Sequence, residues 1–296
     1  TPANVSRTAR ACASTNPINS ACMLMIIAAA IHLFGLTMLY STTSSDPSGA
    51  ALFHKQLVWG MVGLGAATTV FIIGYRKLAE YSAILMVISI ILLAFADFFC
   101  REINGAHRWI TFSLGGRSFS IQPSELAKLS IALYLSQHLA RNIRYVNNPL
   151  LWRRGPLRPL MFCGGVIVFI MVGKDLGVTL LCVATIWIIL FIAGMRLRWL
   201  LPPVLLGCPA LFFLIKHFSP FRWGRLTSYM DPEAVQHTTG YQLWLSLLAL
   251  GSGGWFGLGF LASRMKADYL PEKHNDFILA IVGEELGLVC MWILLF

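Results

Sequence analysis

The sequence predicts an all-α, polytopic integral membrane protein with about eight transmembrane helices and long outer loops. Three observations indicate this fold class. Of 296 residues, 57% are hydrophobic and only 12% are charged, whereas a soluble domain carries about 25% charged residues. The mean hydropathy is +0.69. Several apolar segments also approach the length of about 20 residues that crosses a bilayer as a helix.

The apolar segments place the spanning helices along the chain. We expect them at residues 21–40, 57–74, 81–100, 124–139, 160–173, 176–194, 200–217 and 275–296. The fifth and sixth are short, and residues 173–175 are expected to join them as a tight hairpin. Residues 1–20 form a polar N-terminal tail, and 21–296 form the transmembrane domain. Because the chain starts without Met and stops at Phe296 within an apolar run, we expect a fragment that further helices follow.

Charge in the loops predicts their orientation. The loops predicted to be cytoplasmic have Glu80 as their single acidic residue, and the outer loops contain ten basic and seven acidic residues. By the positive-inside rule the N-terminus is cytoplasmic. This asymmetry explains most of the net charge of +10. The charge does not indicate nucleic-acid binding, because the sequence contains no motif for nucleic-acid recognition. The cytoplasmic basic residues are Arg7, Arg10, Arg76, Lys77, Arg141, Arg144, Arg153, Arg154, Arg158, Arg196 and Arg198.

Two predicted outer loops are long, at residues 101–121 and about 218–275. Long loops in a compact protein are usually functional. In the second loop, residues 241–260 combine aromatic residues with leucines, as expected of a helix that lies in the membrane interface. The seven cysteines show no paired spacing and resemble small buried apolar residues, so neither a disulfide framework nor a metal site is predicted.

Two motifs near the first outer loop are candidates for chemistry. Arg108 and Trp109 lie in NGAHRWI. They are either an interfacial tryptophan with a basic neighbour or an aromatic platform and guanidinium that face a sugar or phosphate. Glu125 and Lys128 lie three residues apart at the start of an apolar helix, so they share a face. They form either a structural ion pair or part of a water-filled cavity.

Two further pairs of charged residues lie in or beside outer loops. Lys174 and Asp175, in the predicted hairpin, either neutralise one another or take part in function. Arg222 and Arg225 open the second long loop. On a helix they would face the same way, either as a solvated basic surface or as a clamp for a phosphate.

The stretch LPEKHNDFILAIVGEELG places three carboxylates in an apolar run. A carboxylate in hydrocarbon costs at least a few kcal/mol, so each should face protein, water or substrate. If the helix starts near Asn275, Asp276 lies in its first turn and is exposed to the outer surface. Glu284 is too distant to form a close carboxylate pair with it, so Asp276 is expected to act alone. Glu284 and Glu285 are expected to be buried, hydrogen-bonded or cation-paired supporting residues.

Five separated motifs occur in the order found in the SEDS family of FtsW, RodA and SpoVE proteins, which serve shape, elongation, division and sporulation. They are NGAHRWI, IQPSELAKL, DLGVTLL, GYQLWLSLLALGSGGWFGLGF and YLPEKHNDFILAIVGEELG. The chain resembles this family from its first predicted helix to its end, and its NGAHRWI and MKADYLPEKHNDFI segments are closer to FtsW than to RodA. Family members have ten transmembrane helices, so the resemblance implies that the last two are missing here.

The resemblance implies a peptidoglycan glycosyltransferase that polymerises lipid II on the outer face of the bacterial cytoplasmic membrane, in cell division or cell-shape maintenance. The implied partners are lipid II, a lipid-linked glycan strand, a class B penicillin-binding protein transpeptidase and divisome or elongasome proteins. By motif match, the essential carboxylate falls on Asp276, the outer-loop tryptophan on Trp109, and the cavity Glu and Lys on Glu125 and Lys128. Asn275 stands where the family has Thr, and this change is expected to be mild because both residues are good helix N-caps.

The implied reaction also needs positive charge for its pyrophosphate leaving group. Arg108, Arg222 and Arg225, together with Lys128, are the expected cations, and a divalent cation, Mg²⁺ or Mn²⁺, is a further candidate. Asp175 is retained from a family Gln-Pro-Asp motif in which Lys174 replaces the proline, and this replacement is expected to loosen the hairpin.

Two other functions stay open. A lipid II flippase would need a polar cavity beside an apolar groove, and the deeply placed Glu284 and Glu285 favour it. A scaffold that only recruits the transpeptidase is the third alternative. The other charged candidates map near the outer face, which favours chemistry on one side of the membrane.

Overall fold

The computed structural model describes residues 17–44, 49–100, 108–114, 117–148, 151–238, 240–266 and 274–296. The chain divides into two compact units, Ala67–Phe213 and the combination of Thr1–Ala66 with Leu214–Phe296. The helices are α1 (Pro17–Thr43), α2 (Gly49–Ile73), α3 (Tyr75–Glu80), α4 (Ser82–Phe99), α5 (Pro123–Arg141), α6 (Leu157–Val172), α7 (Leu176–Ile192), α8 (Leu197–Phe218), α9 (Pro220–Ser228), α10 (Tyr241–Gly253) and α11 (Ile278–Leu295). A 3₁₀ helix covers Ile143–Tyr145, and the strands are β1 (Ile110–Leu114) and β2 (Arg117–Ile121).

A helix occupies each predicted spanning segment, and the predicted helical, multi-pass membrane fold is confirmed. Within the described residues, five helices are long and apolar enough to cross a membrane, namely α1, α2, α4, α8 and α11. Helices α6 and α7 are apolar but shorter, at 16 and 17 residues, in agreement with the two short segments that the sequence predicts. Helix α5 is less apolar because it carries the polar and charged residues of the QPSELAK motif.

Helices α4, α5, α6 and α7 pack together to form the core of the unit Ala67–Phe213. The hydroxyls of Ser89 in α4 and Ser130 in α5 lie 3.0 Å apart, and Ser82 donates to Gln137 across the same pair of helices at 2.7 Å. Small residues and interhelical hydrogen bonds hold helices together in lipid, where hydrophobic burial between helices contributes little.

The first predicted outer loop contains a feature that an all-α prediction omits. Strands β1 and β2 form an antiparallel hairpin in which Ile110 pairs with Ile121 and Phe112 with Phe119. The residues of β1, Ile-Thr-Phe-Ser-Leu, alternate apolar residues with polar ones, as a short strand does. This pattern extends over only five residues in each strand, which is why it is overlooked between long apolar helices.

In the unit that contains α10 and α11, these two helices pack closely and α11 also contacts α1. Ser246 and Ala249 of α10 are buried, so this helix contributes a small-residue face to the core rather than only lying along an interface. It ends at Gly253, earlier than the predicted residue 260. Helix α11 is interrupted at Gly287, whose φ of 78° and ψ of 179° are not helical.

Candidate functional site

Asp175 fixes the start of α7. Its carboxylate Oδ1 accepts a hydrogen bond from the backbone N–H of Val178 at 3.2 Å, so Asp175 is the N-cap of the helix. The other oxygen, Oδ2, accepts from the side-chain amide of Gln122 at 3.1 Å. Asp175 is only 9% exposed. The retained Asp of the hairpin therefore has a structural role whatever it contributes to substrate binding.

Arg108 joins the loop between α4 and α5 to the same hairpin. Its guanidinium donates to the carbonyls of Gly173 and Lys174 at 3.4 and 2.8 Å, and its Nη1 lies 3.8 Å from Oδ2 of Asp175. The structure thus brings together Arg108 and Asp175, which are 67 positions apart in sequence. The partly buried Trp109 follows directly. A small cavity beside this contact is lined in part by Asp97, for which the sequence alone suggests only an interfacial position near the end of an apolar helix.

Lys174 gives the hairpin a conformation that differs from the expected loosened one. Lys174 has a φ of 61°, and the N–H groups of Lys174 and Asp175 donate to the carbonyls of Met171 and Ile170 at 2.9 and 3.2 Å. This is the Schellman arrangement that closes a helix, with Lys174 at the position usually taken by Gly. Proline cannot adopt it, since its ring fixes φ near about −65°. With lysine at this position, the turn has a conformation that proline could not adopt, and its backbone groups are hydrogen-bonded.

Glu125 and Lys128 form the predicted ion pair at the start of α5. Nζ of Lys128 lies 2.8 and 2.9 Å from the two carboxylate oxygens of Glu125. The side chains are 27% exposed for Lys128 and 59% exposed for Glu125. The pairing that the spacing predicts is confirmed, and the pair remains accessible to a ligand.

Asp276 is exposed, as predicted, but it lies in the turn His274–Phe277 before α11 rather than in the first turn of the helix. The helix begins at Ile278 and Phe277 occupies the N-cap position. Backbone carbonyls close the turn, because those of Asn275 and Phe277 accept from the N–H groups of Ile278 and Ala280 at 3.4 and 3.0 Å. Asn275 therefore lies two residues before the N-cap position, and the Asp276 carboxylate is presented ahead of the helix.

Glu284 is fully buried and fully bonded. Its carboxylate accepts from the hydroxyl of Ser263 at 2.5 Å and from the backbone N–H groups of Arg264 and Met265 at 2.9 and 3.4 Å. These donors come from residues 263–265, within the loop that follows α10. Glu284 therefore ties that loop to α11.

Glu285 is equally buried and has a cation as its partner. Nζ of Lys266 lies 3.0 Å from Oε1 of Glu285, and the hydroxyl of Ser41 in α1 lies 2.7 Å from both carboxylate oxygens. Lys266 also donates to the carbonyl of Leu261 at 2.6 Å and is only 6% exposed. The expectation of buried, hydrogen-bonded and cation-paired glutamates is confirmed. Lys266 and Ser41 were missed, because neither spacing nor periodicity links them to Glu285.

The break at Gly287 is matched by backbone bonds to the glycine-rich loop after α10. The carbonyls of Glu284 and Glu285, freed by the break, accept from Leu258 and Gly259 at 2.9 and 3.0 Å. On the other side of the break, the N–H of Leu288 donates to the carbonyl of Gly254 at 3.0 Å. Irregular backbone at membrane depth is tolerated where protein satisfies it in this way.

Arg222 and Arg225 both lie in α9, so the condition under which they would face the same way is met. Their spacing of three puts them on one face, with Arg222 half-buried and Arg225 exposed. They belong to the same unit as Asp276, whereas Arg108, Trp109, Glu125, Lys128 and Asp175 belong to the unit Ala67–Phe213. Within the described residues, three or more His, Cys, Asp or Glu side chains do not gather into a group that could hold a metal ion.

Comparisons with known proteins agree with the motifs. A probable peptidoglycan glycosyltransferase FtsW from Aliivibrio salmonicida is 35% identical over 273 residues, which is 90% of this chain and 66% of that protein. The protein of the same name from Tolumonas auensis is 34% identical over 265 residues, covering 88% of this chain and 67% of the relative. This chain therefore spans about two thirds of the length of these relatives.

Solved structures resemble the fold. A chain from a peptidoglycan synthase complex, described as coordinating polymerization and crosslinking, gives a TM-score of 0.69 at 26% identity, covering 92% of this chain and 73% of that one. The rod shape determining protein RodA of Thermus thermophilus gives 0.58 at 27% identity, with 92% and 69% covered. The family model for the FtsW, RodA and SpoVE cell cycle proteins matches residues 21–296. With the helical fold and five ordered motifs, this match shows that the chain belongs to the FtsW/RodA/SpoVE family of cell cycle proteins.

Proposed function

We propose that this chain is the greater part of a peptidoglycan glycosyltransferase that polymerises lipid II. The observation that carries the proposal is the exposed carboxylate of Asp276, presented directly before a helix that can cross the membrane. Such a group meets water, a sugar hydroxyl and a lipid-linked substrate at the same boundary. Relatives that carry the name peptidoglycan glycosyltransferase support the assignment.

The reaction assigns one task to Asp276. The acceptor is the 4-hydroxyl of the N-acetylglucosamine of one lipid II molecule, and the donor is the anomeric carbon of a lipid-linked strand. As the oxygen of that hydroxyl bonds to the anomeric carbon, the bond to undecaprenyl pyrophosphate breaks. Forming a β-1,4 linkage from an α-linked donor inverts the carbon in one step, which needs a single base. Asp276 takes the hydroxyl proton.

Positive charge stabilises the pyrophosphate that leaves. Arg222 and Arg225 suit this role because they share one face of α9 and a guanidinium matches phosphate oxygens with paired donors. Arg108 and Lys128 stay substrate-binding predictions, with their charges already partly offset by Asp175 and Glu125. Trp109, Glu125 and Asp175 likewise stay substrate-binding predictions.

A divalent cation fits this arrangement only with the substrate as its main ligand. Mg²⁺ commonly binds through one or two carboxylates together with substrate phosphates, and retains several waters. An exposed carboxylate such as Asp276 is compatible with that mode. When bound, the cation would offset negative charge on the pyrophosphate.

A flippase is disfavoured by the residues that first suggested it. Glu284 and Glu285 are 0% exposed, and their oxygens are bonded to Ser263, Lys266 and Ser41. Carboxylates engaged in this way do not line a path for a lipid headgroup. We infer instead that they hold the loop and helix that carry Asp276.

The proposed setting is the bacterial inner membrane, with a cytoplasmic N-terminus and the chemistry on the outer face. The loop charges support this orientation. The proposed partner is a class B penicillin-binding protein transpeptidase, in a division or elongation assembly. The fold's similarity to a chain of a peptidoglycan synthase complex supports such a partner.

Reconstitution in vesicles distinguishes the two candidate functions, the glycosyltransferase and the flippase. The full-length protein would be placed in vesicles with its penicillin-binding protein and fluorescent lipid II, with Mg²⁺ present. Glycan polymer would be resolved on a gel, and transbilayer movement would be followed by quenching of the outer leaflet. We expect polymer without accelerated movement. Movement without polymer would return the chain to the flippase class.

A further inference from the structure

An open groove lies at the beginning of α6 and is lined by none of the candidate site residues described above. Its volume is about 530 Å³, and it is lined by Trp152, Arg153, Arg158, Met161 and Phe162. This volume falls in the range of about 300–1,000 Å³ typical of small-molecule sites. The lining consists of two cations, two aromatic residues and a methionine, with no acidic residue among them, and it suits an amphiphilic anion.

The two arginines of the groove are available to a ligand. Arg153 and Arg158 are exposed, and within the described residues neither forms an ion pair. The adjacent Arg154 behaves differently, because its Nη1 donates to the hydroxyl of Tyr145 at 3.0 Å and its guanidinium lies 5.3 Å from the centre of that ring. The groove therefore has uncompensated positive charge, which an anion would offset.

The apolar part of the groove continues into the surface of α6. Met161 is 57% exposed and Phe162 39%, and further along the helix Val168 and Val172 are 59% and 56% exposed. The ring of Phe162 packs edge-on against Tyr134, with centroids 6.0 Å apart, so its position is defined. A ligand that contacts both parts of the groove therefore needs an anionic group at one end and a hydrocarbon chain at the other.

We propose that this groove binds an anionic phospholipid. The guanidinium groups of Arg153 and Arg158 donate to its phosphate, its glycerol region contacts Trp152, and one acyl chain lies along Met161 and Phe162. The loop before α6 is on the side predicted to be cytoplasmic, where basic residues meet the negative surface of that leaflet. This site is independent of the proposed glycosyltransferase activity, and its test requires no catalysis.

The test is lipid binding to the full-length protein by native mass spectrometry. Detergent-purified protein would be titrated with phosphatidylglycerol and, separately, with phosphatidylcholine. We expect tighter binding of phosphatidylglycerol, weakened at least about tenfold by Arg153→Gln or Arg158→Gln and further by both, since a hydrogen bond to a charged group in direct contact contributes about that factor or more.

Arg144→Gln is the matched control. Arg144 is exposed in the 3₁₀ helix Ile143–Tyr145 of the same loop, and its replacement removes the same charge without altering the groove. We expect it to leave phosphatidylglycerol binding unchanged. An equal loss in this control, or equal affinity for the two lipids in the wild type, would overturn the proposal in favour of general electrostatic attraction or ordinary solvation by lipid.

A further arm tests the hydrocarbon end of the ligand. Met161→Gln should weaken phosphatidylglycerol binding while the melting temperature of the protein stays the same. Soluble glycerol phosphate should compete poorly with the lipid. If glycerol phosphate competes as well as short-chain phosphatidylglycerol at equal concentration, the groove is a site for a soluble phosphate and the lipid assignment is wrong.

Discussion

At the scale of single residues, the described part of the chain contains two Lys–Glu pairs in opposite environments. Lys266 and Glu285 are 8% and 0% exposed in their side chains and 3.0 Å apart, whereas Lys128 and Glu125 are partly open to solvent. A buried pair whose cation is removed leaves an uncompensated charge, whereas an exposed pair contributes little. The same chemical deletion should therefore have very different effects at the two positions.

Lys266→Met should lower the free energy of unfolding by about 3–5 kcal/mol, because Glu285 then remains buried without its cation. Lys128→Met, the matched control, should change it by at most about 1 kcal/mol. The measurement is denaturant unfolding of the purified protein in detergent. The double variant Lys266→Met/Glu285→Gln should recover part of the loss. Equal losses for Lys266→Met and Lys128→Met would contradict the account, because burial of the Lys266–Glu285 pair would then not increase the cost of removing its cation.

A second prediction at this scale concerns the closing turn of α6. Lys174 adopts a φ of 61° there, and at the end of α7 the equivalent position is Gly194, with a φ of 81° and the same pair of backbone bonds. Lys174→Gly should raise stability by about 1 kcal/mol, because Gly adopts this conformation without a steric penalty.

Lys174→Pro should lower stability by more than that, because the ring fixes φ at the opposite sign and removes the N–H that bonds to Met171. Thermal unfolding of the two variants beside the wild type checks both signs. A stabilising proline would mean that the turn adopts the Gln-Pro-Asp form expected of the family.

At the scale of elements, the important feature is the pairing of interrupted α11 with the loop after α10. A side chain at Gly257 would collide with the carbonyl of Glu285, and one at Gly253 with the carbonyl of Gly283. Gly253 and Gly257 of the GSGGWFG motif are thus required for the close approach of the two backbones. The same loop donates to the carbonyls of Glu284 and Glu285 in α11. We therefore expect this contact to help position the turn before α11, which contains Asp276.

Gly257→Ala should destabilise the protein by about 2 kcal/mol or more and reduce polymerisation, because Gly257 combines a φ of 79° with that collision. Gly164→Ala is the control, since a Cβ at this position in α6 meets open space. It should be neutral or stabilising by up to about 1 kcal/mol. Melting temperature and glycan yield together provide the comparison. A harmless Gly257→Ala would contradict the proposed close pairing.

At the scale of the whole molecule, the orientation of the loops is testable. Asp231 lies exposed in the predicted outer loop and Arg144 exposed in a predicted cytoplasmic one. In intact cells, a membrane-impermeant maleimide should label Asp231→Cys but label Arg144→Cys only after permeabilisation, because the positive-inside rule places the latter inside. Both variants would be made in a background without the native cysteines. The reverse pattern would invert the topology and exclude outer-face chemistry by Asp276.

The long apolar segments predicted the helices, because a segment in lipid must form hydrogen bonds between its own backbone groups, as a helix does. The three-residue spacing predicted the Glu125–Lys128 pair, which is local in the chain. It did not predict Arg108 on the hairpin of Asp175, or Lys266 beside Glu285, because those contacts join distant segments and depend on packing. The interruption at Gly287 was not predicted for another reason: an apolar segment has the same composition whether its helix is continuous or interrupted.

The measurement that tests the central claim most directly is polymerisation of lipid II by the full-length protein with its penicillin-binding partner, resolved as a glycan ladder. Wild type would be compared with Asp276→Asn and with Asp231→Asn, a control that changes another exposed carboxylate of the same unit. Since a general base contributes at least about 100-fold, we expect Asp276→Asn to abolish the ladder and Asp231→Asn to preserve it. A ladder of wild-type intensity from folded Asp276→Asn would contradict the account.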